Sequence, residues 1–468
     1  MDLKFLGATK NVTGSKFLLS LSGMRIMVDC GVFQERELKD RNWQTLPVAP
    51  SSIDAIILTH AHLDHCGYLP KIVKDGFKGD IFCTEPTAEI AKIALLDAAN
   101  LQEEDAEKKR NRHLKEGRIS PYPVEPLYTA DDARKVFPLF KVYPYKKIFE
   151  LFKNVYVSFY DAGHILGAAM IKIEIGMANG KTKKIIFSGD IGRWEKPILC
   201  APTVFKEGDI VFVESTYGNK DHNSEEEAAE ELADVINTTV KRGGNIVIPT
   251  FAIERAQEVI YFLSRFLKKD IIPHILVFVD SPMAIDITEL FSRYPEYLDK
   301  NTQELIKKNS SPFEFPLLKL TRSVEESKSI NHISGSVVIM AGSGMCTGGR
   351  IKHHLITNIT RQDSTIVFVG YQAKGTLGRE ILEKPENVRI LGKVYPVKAE
   401  VRDINGFSAH AGKTELLRWM DGFEKPPEKL FVVHGEEDAS MEFANLLKEK
   451  MKGSEIIVPD YLSEYPLS

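Results

Sequence analysis

The chain has 468 residues, enough for two or three domains that each bury a sizeable core. Lysine and arginine number 61 against 65 aspartates and glutamates, so the formal net charge of -4 excludes a protein that binds nucleic acid by bulk charge alone. Hydrophobic residues make up 43% of the chain, which excludes disorder as its main state, and no apolar run is long enough to span a membrane.

The five cysteines are scattered along the chain, and no two of them form a C-x-x-C pair. This usage is typical of a reducing compartment and unlike a secreted disulfide scaffold. The N-terminus has no cationic segment followed by a long apolar one, so no signal peptide is predicted. We therefore expect a cytoplasmic protein with no membrane partner.

The first part of the chain alternates short apolar runs with turn residues, a pattern that predicts strands. These strands are expected at residues 3–6, 16–21, 25–28, 55–58, 155–159, 170–175 and 184–187. A helical pattern extends from residue 87 to about residue 115. Its charged run at 102–110 is interpreted as a solvated helix face.

After residue 205 the strands alternate with long helices, which is typical of an α/β domain with a mostly parallel sheet. Strands are expected at 210–213, 245–248, 275–279, 337–341 and 365–369, and helices at 224–242 and 254–267. Near residue 395 the pattern returns to strands, at 392–397, 401–404 and 430–434, with a helix at 414–420.

This order of elements predicts one domain interrupted by another. Residues 1–209 and 395–468 would form a β-rich metal-binding domain, and residues 210–394 would form an inserted α/β domain. Such an insertion is plausible because the termini of a domain usually lie close together at its surface.

The strongest chemical signal is a cluster directly after the predicted strand 55–58, made of His60, His62, Asp64 and His65. Imidazole nitrogens and carboxylate oxygens are ligands for zinc and similar divalent ions. The spacing of two residues directs His60 and His62 toward one ion, and Asp64 and His65 lie one step further along, within reach of a second.

Further ligands are expected at the ends of other strands. His164 follows the strand 155–159 and Asp190 follows the strand 184–187, each beside a glycine that permits a tight turn. The two oxygens of a carboxylate such as Asp190 can bridge two cations.

Together these residues resemble the motifs of the metallo-β-lactamase superfamily, and the chain is similar to its β-CASP branch. The metallo-β-lactamase motifs correspond to Asp29, His60, His62, Asp64, His65, His164 and Asp190, and the β-CASP motifs A, B and C correspond to Glu214, His410 and His434. The resemblance spans essentially the whole chain. It implies an α/β fold class: an αββα metallo-β-lactamase fold with an inserted α/β β-CASP domain.

The RNA-processing members of this branch include the nuclease subunit of the pre-mRNA cleavage and polyadenylation complex and compact bacterial and archaeal ribonucleases. A histidine at motif C, here His434, is typical of these members, whereas DNA-repair members usually have valine there. The resemblance therefore favours RNA as the substrate, and we expect this RNA to be single-stranded.

The resemblance also implies two zinc ions per chain. The first ion would be bound by His60, His62, His164 and Asp190, and the second by Asp64, His65, Asp190 and His434. Asp29 would orient the ligands. The residues with catalytic roles would be His410, Glu214 and Asp64, with Glu214 orienting His410.

Two glycine-rich segments, 341–350 and 370–379, suit a substrate that carries phosphates, because backbone N–H groups in such turns can bind phosphate. Plain tight turns are the alternative interpretation. The residues expected to contact RNA phosphates are Ser343, Gly344, Arg350, Lys374 and Arg379. The neighbouring pair His353 and His354 is expected to be structural or to lie near phosphate, not to bind metal.

The sequence thus predicts a zinc-dependent ribonuclease of RNA processing or decay, in which a metal-bridged hydroxide attacks phosphorus and His410 protonates the leaving oxygen. The products would be a 3′-hydroxyl and a 5′-phosphate. The alternatives are a metal-bound hydrolase of a small ester or thioester and a non-catalytic RNA-binding scaffold. Both endonuclease and 5′→3′ exonuclease action stay open, as does the formation of a homodimer.

Overall fold

The computed structural model of the protein describes residues 1–21, 23–117, 119, 124–177, 180–373 and 375–467. In this part of the chain, no helix combines the length and the hydrophobicity that a membrane crossing requires. None of the five cysteines forms a disulfide within the described part of the chain, and four of them are buried.

The strands of the first half are β1 Asp2–Phe5, β2 Phe17–Leu21, β3 Met24–Val28, β4 Ala55–Ile57, β5 Asp80–Cys83, β6 Phe140–Val142, β7 Phe149–Phe152, β8 Val155–Asp161, β9 Ala169–Gly176, β10 Thr182–Phe187 and β11 Ile210–Glu214. Those of the second half are β12 Ile246–Pro249, β13 Leu276–Asp280, β14 Leu318–Leu320, β15 Val337–Ala341, β16 Thr365–Phe368, β17 Asn387–Ile390, β18 Lys393–Pro396, β19 Glu400–Asp403, β20 Lys429–Val433, β21 Glu455–Ile457 and β22 Glu464–Pro466.

The helices are α1 Leu63–Cys66, α2 Leu69–Lys74, α3 Glu85–Glu116, α4 Ala130–Val136, α5 Glu225–Lys241, α6 Arg255–Lys268, α7 Pro282–Arg293, α8 Lys300–Lys307, α9 Val324–Ser329, α10 Ile351–Asn358, α11 Leu377–Leu382, α12 Lys413–Met420 and α13 Glu437–Lys450. Short 3-10 helices cover Lys39–Asn42, Pro50–Ser52, Phe137–Leu139, Pro295–Tyr297 and Ile330–His332.

The chain divides into two compact units. Unit 1 consists of Met1–Trp194, Ala201–Asp221 and His410–Ser468, and unit 2 consists of Glu195–Cys200 and His222–Ala409. The chain therefore leaves unit 1 to build unit 2 and returns to complete unit 1.

Unit 1 contains two sheets that share one hydrophobic core. The first has the strand order β22-β1-β2-β3-β4-β5-β6, and the second has the order β21-β20-β11-β10-β9-β8-β7. Aromatic rings join the two sheets: the centroid of Phe17 lies 5.6 Å from that of Phe212, and the centroid of Phe5 lies 5.1 Å from that of Phe431. Helix α3 packs beside β6, α4 packs against α2 and α3, and α13 packs beside β20. This is the αββα arrangement.

The central strands of unit 1 are apolar on both faces, which is why the sequence shows them as short unbroken runs. All three residues of β4 are buried, and β11 is buried throughout. The strands β4, β8, β10 and β20 each end at a loop, and polar residues of the candidate site follow at their carboxyl ends.

Unit 2 is built on a parallel sheet with the order β14-β13-β15-β12-β16-β19. Its helix α5 begins as the sequence predicts: Ser224 caps the helix and forms a capping box with Glu227. Strands β17 and β18 form a separate antiparallel hairpin.

The predicted boundaries at residues 210 and 394 differ from those of the compact units. Strand β11 pairs with β10 and β20 in unit 1, whereas β19 pairs with β16 in unit 2 and β18 pairs only with β17 among the described residues. The apolar pattern predicts that a segment is a strand, but it does not say which sheet the strand joins. That choice depends on contacts between residues far apart in the sequence.

Unit 2 buries a compact network of charged side chains at the start of α6. The Lys196 ammonium lies 3.4 Å from Glu254 Oε1 and 3.7 Å from Glu258 Oε1, and Arg255 forms an ion pair with Glu258. Both carboxylate oxygens of Glu254 lack a hydrogen-bond partner among the described residues. Burial raises the pKa of Glu254 to about 7, because the Lys196 ammonium only partly offsets the loss of water and the Glu258 carboxylate adds repulsion.

Replacing Glu254 with glutamine should change how folding stability depends on pH. Glu254 has a pKa of about 7 in the folded protein and an ordinary value of 4.5, so the stability that its protonation provides is present below 4.5 and lost as the pH rises to about 7. The unfolding free energy of wild type relative to Glu254→Gln should therefore fall by about 3 kcal/mol over this range, at about 1.4 kcal/mol per pKa unit.

The measurement is urea unfolding of both proteins across this pH range. The exposed Glu325 provides the matched control, since Glu325→Gln should reproduce the wild-type profile. Parallel pH profiles for wild type and Glu254→Gln would show that the buried network holds Glu254 in one charge state throughout.

Candidate metal centre

The histidine cluster begins where β4 ends. His60 follows the buried strand, and the chain then turns into the short helix α1, whose N-cap residue is His62. The extended backbone at His62 and the helical backbone after it direct the side chains of His62 and His65 differently. His60 and His65 are buried, with 0% and 2% of their surfaces exposed.

A first group of ligand-capable atoms is formed by His60, His62, His164 and Asp190. The His62 Nδ1 atom lies 3.1 Å from His60 Nε2 and 3.2 Å from His164 Nε2. The Asp190 Oδ2 atom lies 3.4 Å from His60 Nε2 and 3.5 Å from His164 Nε2. His62 therefore presents Nδ1 to this group, whereas the other two histidines present Nε2.

A second group is formed by Asp64, His65 and His434. The two Nε2 atoms of His65 and His434 lie only 2.9 Å apart, and His434 Nε2 lies 3.5 Å from Asp64 Oδ2. The sequence separates His65 from His434 by 369 residues, and the return of the chain to β20 brings them together.

Asp190 lies between the two groups and faces each with a different oxygen. Its Oδ2 faces His60 and His164, and its Oδ1 lies 3.3 Å from His65 Nε2 and 3.5 Å from His434 Nε2. The turn that presents Asp190 passes through Gly189, which has a φ of +55°. A Cβ atom at Gly189 would lie 2.8 Å from the Cβ of Thr59, so this turn requires glycine.

These atoms fit a metal site. Zinc–nitrogen bonds of about 2.0–2.1 Å in a tetrahedron place two ligand atoms about 3.3 Å apart, and the separations given above range from 2.9 to 3.5 Å. Asp190 Oδ1 is buried and has no hydrogen-bond partner among the described residues. A buried carboxylate oxygen without a donor is costly, and a cation would satisfy it.

The protonation states of the first group suit metal binding, whereas the Asp190 carboxylate outweighs burial and raises the pKa of His65 and His434, so these two would release a proton to a bound cation. Burial lowers the pKa of His60 to about 3 and that of His62 to about 4, which keeps both rings neutral. Burial opposes ionisation of Asp190, but the surrounding imidazoles, His434 and His65 first, hold its pKa well below the ordinary value. Neutral imidazoles and an ionised carboxylate are the forms that bind a divalent cation.

The back of the cluster is held by Asp29 and Thr59. The Asp29 carboxylate lies 2.7 Å from His65 Nδ1 and accepts hydrogen bonds from the amide and the hydroxyl of Thr59. The Thr59 hydroxyl also lies 3.1 Å from His60 Nδ1. The structure places Asp29 beside His65, and its orienting role stays a prediction. The contacts of Thr59 were missed, although its place beside His60 was a signal.

Glu214 and His410 form a pair next to the cluster. His410 Nδ1 lies 3.1 Å from Glu214 Oε1 and 3.9 Å from Asp190 Oδ2. The Glu214 carboxylate also accepts hydrogen bonds from the amides of Ile191 and Thr216, which fix its orientation. Burial alone would lower the pKa of His410, but the Glu214 carboxylate outweighs it and raises the pKa to about 9.

Of the predicted phosphate contacts, Lys374 falls outside the described residues. The others lie in unit 2, in the segments that follow β15 and β16, with Arg379 in helix α11. Arg350 donates to Asp280 Oδ1 at 2.6 Å and to the carbonyls of Thr321 and Arg322, so its guanidinium is engaged within the protein. His354 lies 2.6 Å from the same Asp280, in keeping with the structural role expected for it.

Two of the predicted contacts are engaged within the protein. The Ser343 hydroxyl accepts a hydrogen bond from the Gly348 amide of its own loop. Gly344 packs against Phe251, since a Cβ at Gly344 would lie 2.6 Å from the Phe251 ring. The Arg379 side chain is 45% exposed and pairs with Glu383 on the same helix. Arg379 is therefore the most accessible of the predicted contacts that the structure describes.

Comparison with known proteins assigns families to three parts of the chain. Residues 18–208 match a metallo-beta-lactamase superfamily domain, residues 256–381 match a Beta-Casp domain, and residues 394–459 match a Zn-dependent metallo-hydrolase RNA specificity domain. These matches follow the order of the motifs along the chain.

The chain is similar to whole proteins as well. It is 35% identical to Ribonuclease TTHA0252 of Thermus thermophilus over 450 residues, covering 96% of each chain. It is 33% identical to Transcription termination factor FttA of Methanosarcina mazei and 31% identical to that of Methanocaldococcus jannaschii, covering 96% of this chain and 69% of each relative. A crystal structure of a protein of unknown function from Enterococcus faecalis V583 shares the fold, with a TM-score of 0.54, 12% identity and 99% of both chains covered.

Replacing Asp190 with asparagine should lower the amount of metal that the protein holds. A neutral amide offers one oxygen and one NH₂ group, so one of the two groups of ligands would face a donor instead of an acceptor. Elemental analysis of dialysed protein measures the metal per chain. The exposed Asp75 provides the control, because Asp75→Asn should retain the wild-type content. An Asp190→Asn variant with full metal content would remove Asp190 from the site.

Proposed function

The chain belongs to the β-CASP branch of the metallo-β-lactamase superfamily and is therefore a metal-dependent RNA-processing nuclease. From this starting point, we propose that it hydrolyses single-stranded RNA with two zinc ions. The observation that carries this proposal is the position of Asp190, whose two oxygens face two separate groups of ligand atoms. One carboxylate shared in this way suits two neighbouring cations.

We assign the ligands of the two ions from these groups. The first ion would be held by His60, His62, His164 and Asp190, and the second by Asp64, His65, Asp190 and His434. Zinc is favoured because the donors are mainly imidazole nitrogens, with few carboxylates, at separations that suit a tetrahedron.

When bound, the ions would supply a water of lowered pKa and positive charge for the phosphate oxygens. The protein supplies the rest. Asp64, with 17% of its side chain exposed, and His410, with 20%, are partly accessible, as is His62, whereas the other members of the cluster are buried, so we expect the phosphate to approach on this side. Asp29 and Thr59 keep the imidazoles in place as it does so.

His410 is the proposed general acid. Glu214 engages the Nδ1 atom of His410, which directs the proton on the other ring nitrogen, Nε2, toward the leaving 3′-oxygen. The pKa of His410, raised to about 9, keeps the ring protonated at neutral pH. Transfer of this proton would leave a 3′-hydroxyl on one product and a 5′-phosphate on the other.

The RNA chain itself would be held in part by the loops of unit 2. We retain Ser343, Gly344, Lys374 and Arg379 as proposed contacts, with Arg379 supported by its exposure. Arg350 is better explained as a structural residue, because Asp280 and two carbonyls occupy its donors.

Two further parts of the proposal concern the setting of the enzyme. Five cysteines with no disulfide among the described residues suit a reducing compartment, which supports a cytoplasmic location. All the proposed ligands and the Glu214–His410 pair come from one chain, so the chemistry does not need a second copy. A homodimer would then serve RNA binding, and light scattering tests for it.

Replacing His410 with alanine should lower kcat by about 10²–10⁴-fold, because the leaving oxygen loses its proton donor. Metal content should stay at the wild-type level, since His410 is not among the proposed ligands. Single-turnover cleavage of an end-labelled oligoribonucleotide measures the rate, and elemental analysis measures the metal.

A substrate with sulfur in place of the 3′-oxygen tests the role itself. Sulfur leaves without a proton, so His410→Ala should approach the wild-type rate on this substrate, with a thiophilic metal present in both reactions. If the variant is as impaired on the thio substrate as on ordinary RNA, His410 acts in another way, and a change in metal content would identify it as a ligand.

Cleavage should be much faster on single-stranded RNA than on duplex RNA or on DNA of the same sequence. Five of the seven proposed ligands are buried and the other two are only partly exposed, so a phosphate has to enter a recess, which an unpaired strand does more readily than a duplex. The 2′-hydroxyl group lets a protein distinguish RNA from DNA. Rates measured side by side on the three matched substrates provide the test, and equal rates on RNA and DNA would contradict it.

A further inference from the structure

Thr216 stands two residues after Glu214, where the chain leaves β11 and passes behind the ring of His434. Its hydroxyl oxygen lies 3.1 Å from His434 Nδ1 and 3.1 Å from the backbone carbonyl oxygen of the same residue. One side chain therefore contacts both the ring and the backbone of His434.

These two contacts favour one tautomer of His434. A hydroxyl group donates one hydrogen bond, and a carbonyl oxygen can only accept. If the Thr216 O–H donates to the His434 carbonyl, then the hydroxyl oxygen can meet Nδ1 only as an acceptor. Both bonds form together only when Nδ1 carries the proton, and the lone pair is then on Nε2.

The Nε2 lone pair is the one that faces the candidate metal centre. His434 Nε2 lies 2.9 Å from His65 Nε2 and 3.5 Å from both Asp64 Oδ2 and Asp190 Oδ1. The opposite tautomer would point an N–H group into these ligands. The position of the Thr216 hydroxyl therefore favours a histidine that can bind a cation over one that repels it.

The backbone of His434 also needs support. Its φ of +51° lies in the left-handed region, which non-glycine residues adopt only when their surroundings hold them there. The amide of His434 donates to Ala8 O at 2.9 Å, and its carbonyl accepts from the Ser215 amide at 3.2 Å as well as from Thr216. The Thr216 hydroxyl thus fixes the ring relative to a backbone that is already constrained.

The histidines of the centre are held in different ways. His65 has the Asp29 carboxylate 2.7 Å from Nδ1, and a carboxylate can only accept there. His60 and His434 each have a threonine hydroxyl 3.1 Å from Nδ1, and the hydroxyl of Thr59 is itself directed by Asp29. At His434 the carbonyl of the same residue directs the hydroxyl.

We propose that Thr216 is a positioning residue that sets the tautomer and the ring orientation of His434, and through them the affinity of the second ion. This inference rests on the proposed role of His434 as a ligand. It adds a residue that touches neither ion nor substrate but decides whether His434 can act.

Thr216→Val removes the hydroxyl while keeping the shape of the side chain, and Thr216→Ser keeps the hydroxyl. Zinc affinity is measured by competition with a chromogenic chelator. Loss of such a partner typically weakens metal binding by about 10–100-fold. We expect that loss for the more weakly held of the two ions in Thr216→Val, with Thr216→Ser close to wild type.

Thr239→Val is the matched control for the loss of a buried hydroxyl. The Thr239 hydroxyl is hydrogen-bonded to Val235 O and to Thr365 within unit 2. Its removal should leave zinc affinity unchanged even where it lowers the melting temperature. If Thr239→Val weakens zinc binding as much as Thr216→Val, the effect is general destabilisation and the proposal is wrong.

The tautomer is read directly from ¹⁵N NMR of histidine-labelled, zinc-loaded protein, with the His434 signals identified by their loss in His434→Gln. In wild type we expect a protonated Nδ1 and a zinc-bound Nε2, and this measurement does not depend on whether Thr216→Val folds. A zinc-bound Nδ1, or an unchanged zinc affinity in Thr216→Val, would overturn the role of Thr216 alone. Absence of zinc from both nitrogens would overturn the assignment of His434 as a ligand, and this inference with it.

Discussion

The buried carboxylate of Asp190 is the constraint on which the rest of unit 1 depends. It has imidazole nitrogens on both sides within 3.3–3.5 Å, and one of its oxygens lacks any hydrogen-bond donor among the described residues. A charge in this position is strongly unfavourable unless cations compensate it. The hydrophobic core between the two sheets, with its packed phenylalanines, stabilises the fold and so offsets the unfavourable burial of this charge.

This constraint explains how the ligands are distributed along the chain. Residues at strand ends can converge without breaking the pairing of the strands themselves, because the backbone there is free to turn. The cluster accordingly follows β4, the single histidine follows β8, Asp190 follows β10, and His434 follows β20. Each strand is fixed in its sheet, so each ligand starts from a rigid position.

The sequence predicted the local parts of this arrangement well. The strands 16–21, 25–28 and 55–58 match β2, β3 and β4 to within one residue. The cluster at His60 was evident from the local sequence, because several ligand-type residues follow a predicted strand. The distant members, such as His410 and His434, were recognisable through the resemblance to a family, because a lone histidine carries no signal of its own.

Other features were beyond the reach of the sequence because they depend on contacts between distant segments. No pattern in 210–214 shows that β11 pairs with β10 and β20 and so belongs to unit 1. The choice of Nδ1 at His62 depends on the turn into α1. The network of Lys196 and Glu254 was not expected either, since it joins a segment near residue 196 to the start of α6.

Arg350 shows why residue type is a weaker guide in unit 2 than in unit 1. An arginine in a glycine-rich loop suggests a phosphate contact, but a guanidinium also binds carboxylates and carbonyl oxygens. Here it donates to Asp280, at the end of β13, and to two backbone carbonyls. The metal ligands of unit 1 are a stronger signal, because several imidazoles and carboxylates converge on one small volume and Asp190 Oδ1 still lacks a donor among the described residues. Residue type therefore predicts function better where several groups of one chemistry converge than where a single neighbouring side chain can serve as the partner.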